Sequence, residues 1–443
     1  MATSDSPLSV PDITLEVARQ AGDGGPDPTG PFTISSITAE GEALTISGSG
    51  FGTKSQPTEI LYDGGDFVRE NGVENSYRAG LTDGAVIETS GTVAEEVWKG
   101  GAGGSVQLKK TGLRAAGSTA KLSVIPTQTD VGDIWFGFPK AEIPGGDIPY
   151  HTKYHARWFI KWRYGFSKLK TLRNWTVTSG SFIYPDLTTD PEAVGEELIM
   201  GDTGIIGYLL RHDGEKTSVY TPDNTDQFEV PNDTVITGVT SGATATISRV
   251  GITNSAVGTD NYGVEKVFRA WSRQNGSGSR FTIEQYKMGF SGASDNFPDV
   301  SAAYENEWVA LDVVVDLEQN IAKFYANGAL WGQMTGMDED KDFGLATAAI
   351  GWQDVRGIYN FIEFADIYTD HDLRCVYLGN AELWGDCTVT EIQPVSWTGD
   401  SEIKVPTMRT GAIDTQAPVY TFVTYKGVPD PSDVGVVTDL GGV

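Results

Sequence analysis

Two cysteines in 443 residues exclude a disulfide framework. Cys375 and Cys387 either pair across adjacent strands or, as expected here, remain two buried free thiols. Histidine is almost as scarce, with four in the chain. His151 and His155 are the one close pair, and no acid–histidine spacing matches a zinc site, so no metal and no cofactor are expected. Basic residues are outnumbered 32 to 60, giving a formal net charge of -28. That balance excludes a general nucleic-acid surface and predicts high solubility. No apolar run approaches the roughly 18 residues of a membrane span. The opening MATSDSPLSV lacks a basic-then-apolar signal, so neither a membrane nor export by the usual route is expected.

What the chain has is glycine (54), tryptophan (11) and tyrosine (17), with abundant threonine and valine. This composition predicts an all-β protein with many turns. The clearest stretch runs from Trp308 to Trp331. Val309, Leu311, Val313, Val315 and Leu317 alternate with a face carrying Asp312 and Asp316, which predicts a strand with one buried and one partly wet side. Glu318-Gln319-Asn320 reads as a turn, Ile321 to Ala326 as a returning strand, and Asn327-Gly328 as a hairpin turn.

Residues 1–30 read as an arm or linker that orders only against a partner, rich in Asp, Gly and Pro. The pattern predicts strands near 85–87, 105–109 and 120–125, closing a first sandwich over 31–128. A larger β-domain spans 129–388, with strands near 198–210, 263–271, 281–286, 308–317, 321–326 and 361–368 and a small β-insertion at about 231–252. A C-terminal β-unit and tail covers 389–443. Glycines 50 and 52 flank Phe51, but no helix and no Lys-Ser/Thr pair follow, so the segment is a bulged strand end and no phosphate loop.

One strand departs from the acidic background. In Tyr154 to Trp175, Trp158, Ile160 and Trp162 share one parity, and Arg157, Phe159, Lys161 and Arg163 the other. The second face is cationic with an aromatic among the charges. With His155 and Tyr286 it forms the candidate glycan-binding face. Were it catalytic, as in eliminative cleavage of a uronate, His155, Arg157, Arg163, Arg173 and Tyr286 would be the candidates. Paired carboxylates for glycoside hydrolysis are not evident: Asp312 and Asp316 share a face but lie far apart, and Glu363 and Asp366 face opposite sides. Asp338-Glu339-Asp340 is a loop that offers Ca²⁺ a set of carboxylates, though its default reading is a solvated acidic loop.

Several stretches carry family resemblances. The Trp308–Trp331 hairpin resembles that of concanavalin A-like and laminin G-like jelly rolls, where its residues are structural. PFTISSITAEGEALTISGSGFG resembles the opening of an immunoglobulin-like domain of the IPT/TIG kind. Gln285 to Phe290 resembles the "YFKAGxYNQ" strand of alginate lyases, but Phe290 holds the place of the catalytic Tyr. The partner motifs "RTELR" and "QIH" are absent, so the resemblance implies a lyase-like fold with no catalytic residues. NDTVITGVTSGATATISRV resembles a short β-insertion of tailed-phage structural proteins, and the EIQPVSW tail resembles the end of marine phage virion proteins. Together these imply an immunoglobulin-like sandwich, then a concanavalin A-like jelly roll, then a small β-unit. The implied role is a non-enzymatic virion protein: a capsid decoration, head fibre or tail-associated protein. It would contact major capsid or tail proteins and itself in a homo-oligomer, with a trimer as the usual form. The alternative is a carbohydrate-binding or lyase-like module meeting a host surface glycan. If architecture is its only role, the cations on the 154–163 strand are satisfied by the chain's own carboxylates or by a neighbouring subunit.

Overall fold

The computed structural model describes residues 32–52, 54, 60–62, 67–69, 82–84, 98–100, 106–118, 121–124, 134–137, 152–186, 193–213, 216–223, 233–251, 266–271, 280–284, 286–290, 293–336, 347–353, 360–370, 372–397 and 399–440. They are organised almost wholly as antiparallel β-sheets, with one short helix, Val300–Ala303, and three single 3-10 turns. The all-β class read from composition is the observed one. The expected arm at 1–30, the strand near 85–87, His151 and the loop 338–340 lie outside the described residues.

Two facing sheets make the main sandwich. The nine-stranded sheet runs Ala329–Thr335, Ile321–Ala326, Val309–Asp316, Lys153–Trp162, Ile362–Asp370, Ile60–Tyr62 and Phe67–Arg69, with Lys121–Val124 and Val106–Lys109 joined beside it. The seven-stranded sheet runs Ala293–Asn296, Lys287–Phe290, Arg280–Glu284, Lys266–Trp271, Thr347–Gln353, Ile134–Gly137 and Trp98–Gly100. Between them lies a core of Trp158, Ile160, Trp162, Leu311, Val313 and Phe324 from one sheet against Phe268, Phe281, Ile283 and Met288 from the other. The Asn327-Gly328 hairpin forms with Ala326 opposite Ala329 and both turn residues at positive φ. The Glu318–Asn320 turn forms too, with Asp316 Oδ1 accepting from the Glu318 and Gln319 amides.

A second sandwich draws on both ends of the chain. Thr33–Glu40 and Ala43–Ser49 pair as expected, but Ala43–Ser49 then pairs with Glu402–Val405. Facing them is the sheet Thr390–Ile392, Cys375–Gly379, Val419–Thr424 and Val436–Thr438. Phe32, Ile34, Leu44 and Ile46 share a core with Val376, Leu378, Trp397, Ile403 and Val405. The strands of 31–128 are therefore divided between two sandwiches. Ile60–Tyr62 and Lys121–Val124 take the free backbone of Ile362–Asp370, while the N-terminal hairpin needs the apolar face of residues 376–440 to cover its own. The Gly50–Gly52 bend has both glycines at positive φ, and their amides bond the Asp400 carboxylate at 3.3 and 3.0 Å. An anion cradle is present, and the chain's own carboxylate fills it.

The stretch 198–210, expected as one long strand, is broken at Gly201–Thr203, with Gly201 and Gly204 at positive φ. Its halves, Glu197–Met200 and Ile205–Asp213, pair with each other. They belong to a closed six-stranded barrel in the order Leu169–Ser179, Lys216–Tyr220, Ile205–Asp213, Glu197–Met200, Thr234–Gly238 and Thr244–Gly251. The insertion read at 231–252 thus forms as a hairpin, but as two staves of this barrel. Leu172, Trp175, Leu198, Met200, Leu209, Val219, Ile236 and Ile247 fill it.

Candidate functional site

The 154–163 strand lies at the centre of the nine-stranded sheet, and its inward side is the aromatic core described above. The opposite side is where the sequence places the cationic face. There His155 and Arg157 have no exposed surface, and neither has Asp312. Antiparallel register sets Asp312 opposite Arg157. Arg157 Nη1 donates to Asp312 Oδ2 at 2.8 Å, and Nη2 donates to the Thr390 carbonyl at 2.9 Å and to its hydroxyl at 2.6 Å. Thr390 belongs to the second sandwich, so a single guanidinium ties the two bodies together. His155 Nε2 donates to Asp312 Oδ1 at 3.0 Å, and its Nδ1 lies 3.2 Å from Cys375 Sγ.

The remaining cations of this face meet the same fate. Lys161 lies 4.0 Å from Glu363, which also pairs with the buried Lys121. Arg114 sits over the Phe159 ring at 3.6 Å, grips Glu391 through both terminal nitrogens at 2.9 and 3.0 Å, and bonds Asp366. Phe159 therefore stacks on an arginine of the same chain and offers no platform to a sugar ring. Lys54 pairs with Asp370 in full burial. Burial opposes the Lys54 charge, but the Asp370 carboxylate outweighs it and holds the ammonium above its ordinary range. Arg163 packs beside the Tyr164 ring.

This overturns the picture of an open groove at His155 and Arg157. All eight residues of Val309–Asp316 are buried, including the side expected to be partly wet, because the second sandwich covers it. Nor does the structure gather the other predicted members. Tyr286 lies in the turn between Arg280–Glu284 and Lys287–Phe290, on the seven-stranded sheet. Arg173 lies on the barrel strand Leu169–Ser179, opposite Lys216 and Arg249. Cys375, His155 and Asp312 superficially form a thiol–imidazole–carboxylate row, but none has exposed surface. Burial holds the Cys375 thiol above its ordinary range, with Lys54 opposing, so it is a protonated thiol and a poor nucleophile. Both cysteines are free, and among the described residues no cluster of His, Cys, Asp and Glu could hold a metal ion. The carboxylates that neutralise the face were missed in sequence because 60 acids offer no contrast. Only the antiparallel pairing of alternate Asp with alternate cations would have pointed to Asp312.

The other side of the seven-stranded sheet has a different make-up, and Thr282 and Glu284 on it are buried. Core residues Phe268, Ile283 and Met288 fix the inward parity. Register then places Arg269 opposite Thr282 and Ala349, Trp271 opposite Arg280 and Thr347, Trp135 opposite Lys99 and Gly351, and Lys266 opposite Glu284. All these positions alternate away from the core. Lys287 pairs with Glu284 at 3.2 Å on the same side. Among these register positions five are basic, one is a glutamate and two are tryptophans, with Gly137, Gly289, Ala349 and Gly351 on the same side. The sequence reading overlooked it, because its residues come from six separate strands and no single strand stands out.

No protein-family model matches the chain, and no curated protein matches it. Among solved structures it is similar to the cellulose induced protein Cip1, at 11% identity and a TM-score of 0.23 over 63% of this chain and 89% of that one. It is also similar to the receptor binding domain of botulinum neurotoxin D, at 10% identity and a TM-score of 0.23 over 60% of this chain and 43% of that one. A third is the binding domain of botulinum neurotoxin serotype G, at 9% identity and a TM-score of 0.25 over 83% and 73%. The chain spans under half the length of the serotype D protein. The all-β class rests on the chain's own antiparallel sheets.

Proposed function

We propose that this chain is a non-enzymatic recognition protein that holds an acidic glycan on the outward face of its seven-stranded sheet. One observation carries the reading, the contrast between the sandwich's two outer faces. On the nine-stranded face Arg157 ends on Asp312 and Lys161 lies beside Glu363, whereas register places Lys99, Lys266, Arg269, Arg280 and Lys287 together on one side of the seven-stranded sheet, with Glu284 among them. Register puts Trp135 and Trp271 at positions on the same side; tryptophan is a residue type that stacks on sugar rings, and guanidinium groups match carboxylates in two-point fashion. Long-range repulsion from the -28 chain slows capture of a polyanion. At physiological salt that repulsion is screened beyond about 8 Å, leaving the contacts themselves to decide affinity.

The test is retention of the purified protein on immobilised alginate, pectate, hyaluronan and a sialylated glycan, with ultraviolet absorbance followed in parallel. Retention on at least one ligand, reduced at least tenfold by the Arg269→Ala/Arg280→Ala pair with unchanged melting, is expected. No absorbance from unsaturated uronates should develop. Failure of the wild type to bind any of the four, or turnover of one, overturns the reading.

A second reading makes the chain a structural protein of a tailed-phage virion, touching major capsid or tail proteins. What supports it is the sequence resemblance of residues 232–250 to a phage insertion, a stretch that folds as a hairpin. Its place in an electron-microscopy map of the native particle decides the matter, and absence from purified particles rejects it.

A further inference from the structure

Five exposed hydrophobic side chains gather at one end of the six-stranded barrel: Val177, Ile183, Tyr184, Val194 and Val239, each 40–51% exposed. Strand direction and hydrogen bonds place them there. Leu169–Ser179 runs toward this end, and Val177 sits near its tip with the inward parity of Trp175. Thr234–Gly238 ends here too, with the Gly238 amide donating to the Ala243 carbonyl and the Val239 amide to that of Glu197. From Gly180, which lies against Ala243, the chain turns across the opening. Phe182 enters the barrel core as a stopper. The Ile183 amide donates to the buried Glu196 carboxylate, and the Glu196 amide to the Ile183 carbonyl. The same carboxylate accepts from the Thr240 and Ser241 amides and the Ser241 hydroxyl. One glutamate thus ties residues 180–186, 193–196 and 239–243 into a single rim. Asp233 and the Gly201–Thr203 turn belong to the opposite end.

A row of rings leads out of this mouth. The Phe182 and Trp175 centroids are 4.9 Å apart, His212 follows at 6.3 Å from Trp175, and Tyr184 at 6.2 Å from His212. Phe182 and Trp175 are buried, His212 is half-buried and Tyr184 is exposed. The Tyr184 and His212 planes differ by 28°. At that separation the rings are offset, so neither covers the other's face. At the buried end of the row, Trp175 Nε1 is a donor with no acceptor among the described residues. Exposed Ser179, Ser181 and Thr240 stand among the apolar side chains of the rim. Asp186, two positions past Tyr184, is exposed as well. Arg211, one position before His212, takes the other side of its stave.

We propose that this mouth binds the ring of a neutral sugar, with Tyr184 and His212 as its stacking platform. The mouth of a β-barrel is a usual place for a ligand, and the interior here is filled by its own side chains. The ligand therefore lies on the rim. A pyranose presents apolar C–H faces bordered by hydroxyls, the same mixture that the rim presents. A purely apolar partner segment would instead bury the rim hydroxyls and Asp186 without partners, at a cost. Charge sets the class of sugar. Asp186 can accept from hydroxyls but repels a carboxylate, and the net charge of -28 adds to that repulsion. This site is separate from the acidic-glycan face proposed above, and neither reading depends on the other.

Titration calorimetry of the full chain with cellohexaose, laminarihexaose, xylohexaose and mannohexaose tests the proposal. Saturable binding of at least one of them is expected. Tyr184→Ala should weaken it about tenfold with unchanged melting, the size expected for loss of one stacked ring. Tyr184→Phe keeps the ring and should stay within about threefold of wild type. The Arg269→Ala/Arg280→Ala pair should leave this binding unchanged, which separates it from the acidic-glycan face. Failure to bind any of the four sugars overturns the proposal. So does binding that Tyr184→Ala leaves intact, that Tyr184→Phe loses as fully as the alanine variant, or that the arginine pair abolishes. If the apolar dye bis-ANS binds wild type but not Tyr184→Ala while no sugar binds, the mouth docks an apolar segment and the proposal falls.

Discussion

Replacing Asp312 with asparagine tests whether the polar seam holds the two sandwiches together. The variant keeps the side chain's shape and removes its charge. Arg157 Nη1 then faces an amide at 2.8 Å instead of a carboxylate, in a place with no exposed surface on either side. Removing one partner of a buried, hydrogen-bonded pair costs about 3–5 kcal/mol, because the other charge stays buried without compensation. His155 loses its carboxylate acceptor as well, which puts the expectation at the upper end. For a cooperative unit of about 200 residues this corresponds to a fall in melting temperature on the order of 10 °C. Urea denaturation followed by tryptophan fluorescence measures the free energy, and calorimetry the temperature. The companion experiment replaces both ends of the pair with apolar residues of similar size, Asp312→Leu with Arg157→Met. Such a swap is often close to neutral, so the double variant should be more stable than either single one. A loss below about 1 kcal/mol for Asp312→Asn, or a double variant no better than the sum of its parts, refutes the reasoning.

Gly328 sits at φ +77, and a Cβ there meets the Trp384 ring of the second sandwich at 3.1–3.3 Å. Gly328→Val therefore adds a clash between bodies to the strain of a β-branched residue at positive φ, and should lower stability by about 2 kcal/mol or more; melting like the wild type would remove the turn assignment. Glu196 provides a pH test. Burial raises its affinity for a proton, but bonds from the Ile183, Ser241 and Thr240 amides and the Ser241 hydroxyl outweigh that and leave it lowered. Its contribution is then present above the ordinary glutamate value of about 4.3 and lost as pH falls through its lower folded value. Glu196→Gln should destabilise the barrel by about 1–3 kcal/mol at neutral pH, with the gap to wild type closing in acid; a gap that widens in acid contradicts the clamp.

Local signals were legible. The alternation of Val309 to Val315, the Asn327-Gly328 turn and the Thr/Val hairpin at 232–250 are written in consecutive residues, and each forms where the spacing puts it. What the spacing could not carry is which faces meet. Phe32 to Ile46 reads as the start of a self-contained sandwich, yet its face is completed by Ile403 and Val405, more than 350 residues on. The break at Gly201 was hidden because Ile199 and Met200 on one side and Ile205 and Ile206 on the other make the whole stretch look like one apolar strand. The cationic strand shows the same limit. Its parity was readable, but burial depends on a covering sheet whose nearest members, Cys375 and Thr390, lie over 200 residues away.

The acid surplus and the buried cations belong to one arrangement. A strand bearing Arg157 and Lys161 would draw anions if it were exposed, and on this acidic chain the nearest anions are the chain's own. Lys54, Arg114, Lys121 and Arg157 come from well-separated segments, and each ends on a carboxylate of a different strand or loop: Asp370, Asp366 with Glu391, Glu363, and Asp312. Such pairs add little net stability over apolar packing, but mispairing any of them strands a charge. Lys121–Glu363 and Arg157–Asp312 fix register within the nine-stranded sheet, while Arg114 on Glu391 and Arg157 on Thr390 carry the link to the second sandwich. A seam fixed in this way holds the second sandwich against the nine-stranded sheet. The seam and the proposed glycan face also call for opposite environments. The first pairs its charges in the dry interior, and the second gathers basic register positions on the other sheet.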